Sequence, residues 1–165
     1  MYMEIPKSIS LQERKKEHVK EYFYRTRAEE IQNMIPGSAK SLEDALAMYE
    51  ESLKKDATSF GRTIYCEAKY IGDIWCYSLD INNDPNAMLS YCIFEKEYWN
   101  KGIATNAVNM FVKELIQRFR IKSIGAFLYA DNTGSRHVLE KNGFLRMEEL
   151  IEDKRASFYF EKLLE

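Results

Sequence analysis

The run Trp99-Asn100-Lys101-Gly102-Ile103-Ala104-Thr105 decides the fold, because it joins a strand to a helix through a turn of small residues. Upstream, residues 88–94 are short and almost wholly apolar, the pattern of a central strand buried on both faces. Downstream, Ala104, Ala107, Val108, Phe111, Leu115 and Phe119 recur at helical spacing and predict an amphipathic helix over 102–119. Another strand is predicted over 124–130, so strand, helix and strand make a crossover unit whose strands are parallel neighbours. A short helix over 133–142 follows and stops at Gly143, the residue suited to a left-handed C-terminal position.

Outward from this unit the texture stays mixed. Residues 62–68 and 71–79 are rich in β-branched, aromatic and cysteine residues and predict an antiparallel hairpin joined near Lys69 and Tyr70. The cluster around Asn82, Asn83, Asp84 and Pro85 is a turn, and 155–161 predicts a last strand. Toward the N-terminus, Ser10 and Glu13 fit a capping box opening a helix over 10–34, with Leu11, Val19, Tyr22, Phe23, Ile31 and Met34 as its apolar stripe. Pro36, Gly37 and Ser38 break it, and Ser41 caps a second helix carrying Leu42, Ala45, Leu46, Tyr49 and Leu53. The sum is an α/β chain in one domain over 1–165, with a helical part over 1–58 and a mixed central sheet flanked by helices over 59–165.

Composition narrows the function. The chain has 165 residues, 45% hydrophobic and 30% charged, enough for one well-cored domain. A net charge of −2 supplies no field for nucleic acid or anionic lipid. The longest apolar run is far short of the ~20 residues a membrane helix needs. Residues 1–7 have no apolar core of a secretory signal, so a cytoplasmic protein is expected. Cys66, Cys76 and Cys92 sit in apolar, strand-like runs without Cys/His ligand spacing, so buried reduced thiols are expected and no metal.

The turn at 99–105 has chemistry of its own. Where a buried strand turns into a helix, unpaired N–H groups face outward at the positive end of the helix dipole and suit phosphate oxygens. Gly102 and Ala104 keep that approach open, and Asn100 tolerates left-handed backbone better than other non-glycine residues. Lys101 can reach a phosphate from the rim, and Thr105 adds a hydroxyl donor. The glycine-rich signatures of triphosphate and dinucleotide sites are missing.

Tyr91 to Thr105, with its Tyr98-Trp99-Asn100-Lys101-Gly102-Ile103-Ala104-Thr105 core, resembles the acetyl-CoA signature of the GNAT N-acetyltransferases. It is most similar to the branch of ribosomal-protein N-terminal acetyltransferases. Asn132, Ser135, Glu140, Lys141, Gly143 and Phe144 resemble the second signature of that branch, in the same order and separated by a helix and a strand. The resemblance implies a GNAT-like fold with its parallel strand pair splayed at the cofactor site, and acetyl-CoA as cofactor. It implies that Asn100, Lys101, Gly102, Ile103, Ala104 and Thr105 bind the pyrophosphate, with Trp99 counted among the cofactor-binding residues. Cys92, Ile93 and Phe94 would pair their main chain with the pantetheine arm, Asn132 would bond it, and Ser135 would sit near the sulfur. Arg136 and Lys141 would reach phosphate or serve as a solvated face. Asn100 stands where the family has glycine, Asn106 where Glu is common, and Ser90 where Gly precedes the tyrosine. Leu139 occupies the place of a tyrosine that serves relatives outside this branch as acid.

The reaction so implied is acetyl transfer to a primary amine, of a small molecule or a peptide N-terminus, by direct attack in a ternary complex. A non-catalytic acyl-CoA-binding module is the alternative. The oxyanion needs an N–H donor, expected near Ile93. A thiol with a reference pKa of ~8.5 needs only a weak acid; Ser135 is the first candidate and Tyr129 the second. An alkylamine near ~10 must lose a proton, with Glu95, Glu67 and Asp73 as candidate acceptors. Cys92 is the candidate for a covalent alternative. Mild acidity fits a cationic acceptor without selecting one, and homodimerisation stays open.

Overall fold

The computed structural model describes residues 8–35, 38–152 and 154–164. Pro36 and Gly37 of the expected break, and the leader stretch over 1–7, lie outside them. The crossover unit forms as its pattern demands: β4 (Asn86–Ile93), α4 (Ile103–Phe119) and β5 (Ser123–Tyr129). The hairpin is β2 (Phe60–Cys66) and β3 (Lys69–Asp80), turning at Glu67, whose φ of 56° lies in the left-handed region. α5 (Thr133–Lys141) ends ahead of Gly143 at φ +84°. α3 (Leu42–Ser52) starts where expected, the Ser41 hydroxyl accepting from Asp44 N–H.

Two strands were not legible. Residues 9–13 do not open a helix; they are β1 (Ile9–Glu13), antiparallel to β2 from Ile9 opposite Cys66 to Glu13 opposite Arg62. Ile9 and Leu11, two apart, pack on the core, so pairing with a preformed edge overrides the local capping signal. Helix begins only at α1 (Lys16–Arg25), where His18 Nδ1 accepts from Lys15 N–H, and α2 (Glu29–Gln32) is a separate turn. β6 (Leu145–Glu152) pairs only with β7 (Arg155–Leu163), leaving Leu145, Met147 and Ile151 exposed. An edge strand in contact with solvent has no alternation to betray it.

All seven strands lie in one mixed sheet, ordered β1-β2-β3-β4-β5-β7-β6, with β4 and β5 the parallel pair. Its two faces separate by strand parity. Ile74 and Cys76 of β3 join Leu89, Ile93 and the Ala107, Val108 and Phe111 stripe of α4 in the main core. Asp73 and Trp75 face the other way, toward α1, where Tyr22 meets Trp75 edge-on.

The parallel pair is short. Asn86, Ala87 and Met88 lie opposite Ser123, Ile124 and Gly125, and beyond Met88 the strands part. β4 instead continues along β3 as far as Ile93 opposite Gly72. There the two backbones touch: a Cβ on Gly72 would sit 2.8 Å from Ile93 Cα and closer still to the Cys92 carbonyl oxygen. Gly72→Ala should therefore cost roughly 3 kcal/mol, at the upper end for overpacking because the obstacle is main chain. The check is a urea midpoint shifted well below that of the parent, with an unchanged slope.

Candidate active site

Where β4 leaves β5 a groove of about 620 Å³ opens, lined by both strands, the first turn of α4 and α5. On β4, Phe94 N–H donates to Ile71 O across to β3. Antiparallel ladders alternate, so the main chain of Tyr91 and Ile93 points away from β3, toward the gap. The indole N–H of Trp99 donates to Ile93 O at 2.8 Å, which leaves the Ile93 N–H as the group turned to the groove. This corrects the expectation for the strand: Phe94 N–H is spent on β3, and Cys92 is paired there with Asp73.

The turn that follows has the required backbone. Asn100 takes φ +59° and Gly102 φ +80°, so asparagine fills a left-handed position in place of glycine. Gly102 is the N-cap of α4 without a side-chain cap, and the first intrahelical bond runs from Asn106 N–H to Gly102 O. The N–H groups of Ile103, Ala104 and Thr105 thus have no partner among the described residues. A Cβ on Gly102 would meet nothing within 4 Å, so the approach is open. Lys101 is exposed beside it, and Ile103 anchors the turn in the core.

On α5, Asn132 is first a cap: its Oδ1 accepts from Ser135 N–H at 3.1 Å, leaving its NH₂ to donate. Ser135 lines the groove and faces the Tyr91 hydroxyl, which is buried without a hydrogen bond among the described residues. Burial pushes that phenol up to about 12, so it stays protonated at neutral pH. Tyr129 also lines the groove, with the Arg155 guanidinium 3.6 Å over its ring. Lys141 reaches the groove, whereas Arg136 is outside its lining and pairs with Glu140 at 3.7 Å. Leu139 is 2% exposed, a residue of the core.

The expected proton acceptors separate. Glu95 lines neither cavity of the site; Arg25 Nη1 holds it at 2.5 Å and Lys69 Nζ at 3.6 Å. Its position is corrected from base to ion-pair anchor. Glu67 accepts from Ser8 N–H at the hairpin turn, remote from the groove lining. Asp73 is different. It lines a second cavity of about 720 Å³ beneath α1 and α3, which meets the groove at Ile35, Leu89, Ser90 and Phe127. Tyr70 Oη donates to Asp73 Oδ1 at 2.5 Å, and Arg14 lies 3.9 Å from Oδ2. Burial raises this carboxyl to about 7, against the opposing pull of Arg14 and then Tyr70. A lone carboxylate between Gly72 and Ile74 in an apolar strand was the sequence signal for it.

Cys92, the candidate for the covalent alternative, is held as a thiol. It is buried among Ile31, Tyr70 and Phe94, and burial pushes it up to about 12. All three cysteines are buried thiols, and among the described residues no cluster suits a metal. Among the described residues no helix is long and apolar enough to cross a membrane.

Comparison with known proteins agrees with this geometry. Residues 9–145 match the acetyltransferase (GNAT) domain family. The chain is 31% identical over 97 residues to a probable N-acetyltransferase, YjcK, of Bacillus subtilis, covering 58% of this chain and 53% of that protein. The chain thus aligns with about half the length of that curated relative. Its fold is that of the spermidine N-acetyltransferase of Vibrio cholerae, in complex with CoA and spermine: TM-score 0.81, 14% identity, 94% of this chain and 95% of the other. The RimL ribosomal alpha-N-protein acetyltransferase, in complex with coenzyme A, superposes with TM-score 0.80 at 14% identity over 94% of each chain.

The cap at Asn132 can be tested by stability alone. Asn132→Ala should cost about 1 kcal/mol in chemical denaturation, and Asn132→Ser should restore most of it.

Proposed function

The chain belongs to the GNAT acetyltransferase family, and on that premise we propose that it moves an acetyl group from acetyl-CoA to a primary amine in a ternary complex, in the cytoplasm. One observation carries the reading: free amides of the α4 turn and the Ile93 N–H open onto one groove, which shares Ser90 as a wall residue with a second cavity. Amides at 103–105 suit the pyrophosphate, with Lys101 and Lys141 supplying charge at the rim. The Tyr91 main chain suits a pantetheine amide, with the Asn132 NH₂ as a further donor.

In the reaction the amine enters from the second cavity and attacks the thioester carbonyl. Orientation of the two reactants at the shared wall supplies much of the rate. The Ile93 N–H receives the developing oxyanion, pre-set because Trp99 fixes the same peptide strand through Ile93 O. Ser135 gives its proton to the leaving thiolate, and the protonated Tyr91 phenol behind it can replace that proton. Asp73 takes the proton the amine loses. Tyr22, whose buried hydroxyl lacks a partner among the described residues and faces both Cys92 and Asp73, lies on that route.

Two measurements test this. Gly102→Ala should leave much of the acetyl-CoA affinity, whereas Gly102→Glu should weaken it by at least about tenfold, a carboxylate meeting the diphosphate. Equal Kd values by calorimetry would move the cofactor elsewhere. For the base, a carboxylate accepts protons only when ionised, so kcat/KM should rise with pH through about 7. Asp73→Asn should lower kcat roughly 10²-fold and abolish that limb. Tight CoA binding without thiol release for any amine would leave only the binding module.

A further inference from the structure

The second cavity has a charge balance that selects its occupant. Its aromatic wall comes from Tyr22, Phe23, Tyr49, Trp75 and Phe127, brought together from α1, α3, β3 and β5. Among the described residues its charged lining is Arg14, Arg27 and Asp73. Asp73 already accepts from Tyr70, and Arg14 stands too far from it for a hydrogen bond. Arg27 is more telling. Its guanidinium stacks 4.0 Å over the Phe23 ring and its Nε donates to Phe23 O at 2.9 Å. The stem is thereby fixed, while its terminal nitrogens meet no carboxylate among the described residues. Nearby acids do not compensate: Glu21 and Glu95 are bound to Arg25, outside this cavity.

Resting on the acetyl-transfer reading, we infer that the acceptor is an amine with an aromatic or apolar body and an anionic group, a carboxylate or a phosphate, received by the Arg27 and Arg14 guanidiniums. A planar guanidinium held by its own Nε presents its remaining N–H fork ready for such a group. Aromatic walls give the body of the ligand a large apolar contact at small entropic cost. A polycation would meet two guanidiniums against one carboxyl, a juxtaposition of like charges. The net charge of −2 is thus no guide to this cavity, whose described lining leans positive.

The test uses amines that differ only in the anion, titrated calorimetrically into the CoA-saturated protein. Phenylalanine is compared with phenethylamine, tyramine O-phosphate with tyramine, and spermine stands for polycations. At least one anionic member should bind about tenfold tighter than its neutral partner, as a charge-assisted contact requires. The pair with the larger ratio separates carboxylate from phosphate. Arg27→Gln should reduce that ratio to below about threefold with an unchanged melting temperature, and Arg27→Lys should restore part of it. Neutral partners or spermine binding as tightly as the anionic amines, no binding by any, or a ratio unaffected in Arg27→Gln would overturn the inference. Thiol release is followed in parallel: a preserved binding ratio without turnover refutes acetyl transfer and leaves the cavity's preference standing.

Discussion

The site opens where β4, paired with both β3 and β5 as far as Met88, leaves β5 and keeps β3 alone. It pairs with β5 for three residues and then follows β3, which Gly72 lets it approach more closely than any side chain would permit. An interior strand that leaves its partner exposes main-chain groups, and buried unpaired amides are costly unless something receives them. Trp99 receives one carbonyl. The rest is left facing a groove, with the unsatisfied first turn of α4 at its end. The ligand site is therefore a consequence of sheet geometry, with few side chains committed to it.

That geometry also sorts the polar groups by environment. Tyr91, Cys92 and Asp73 all sit within or beside the split, and burial favours the neutral form of each. For a phenol and a thiol this means inertness as nucleophiles and retention of a proton. For a carboxyl it means the opposite of inertness, because a value near 7 lets it exchange a proton at working pH. One physical cause, desolvation, raises both Cys92 and Asp73, holding the first as a thiol and bringing the second near neutrality.

The legible part of the chain was the part governed by local rules. The 99–105 turn, the α4 stripe, the Ser41 and Gly143 helix ends and the hairpin each carry their signal within a few residues. β1 did not, since Ser10 and Glu13 satisfy a capping pattern and only β2, over fifty residues away in sequence, makes that segment a strand. β6 was silent for a related reason, as an edge strand with exposed Leu145 and Ile151 shows no alternation. Glu95 was misread because its sequence neighbours place it beside the motif, while Arg25 from α1 turns it away into an ion pair.

The same division explains why the two halves of the site differ in what they disclose. The groove depends on backbone conformation, which glycine, asparagine and helix starts announce in sequence. The second cavity depends on side chains from four separate segments, whose meeting is a product of packing. Arg27 illustrates this: in sequence it is one of many cations, followed by the polar run Ala28-Glu29-Glu30 that suggests a solvated face. Only its stacking on Phe23 and its bond to that residue's carbonyl give it a fixed direction. Arg27 is exposed at the cavity's rim, and its fixed stem holds its unclaimed donors beside whatever enters there. The shape of the second cavity is therefore set by how α1 is seated on β3, through contacts such as Tyr22 against Trp75, and not by the 99–105 turn.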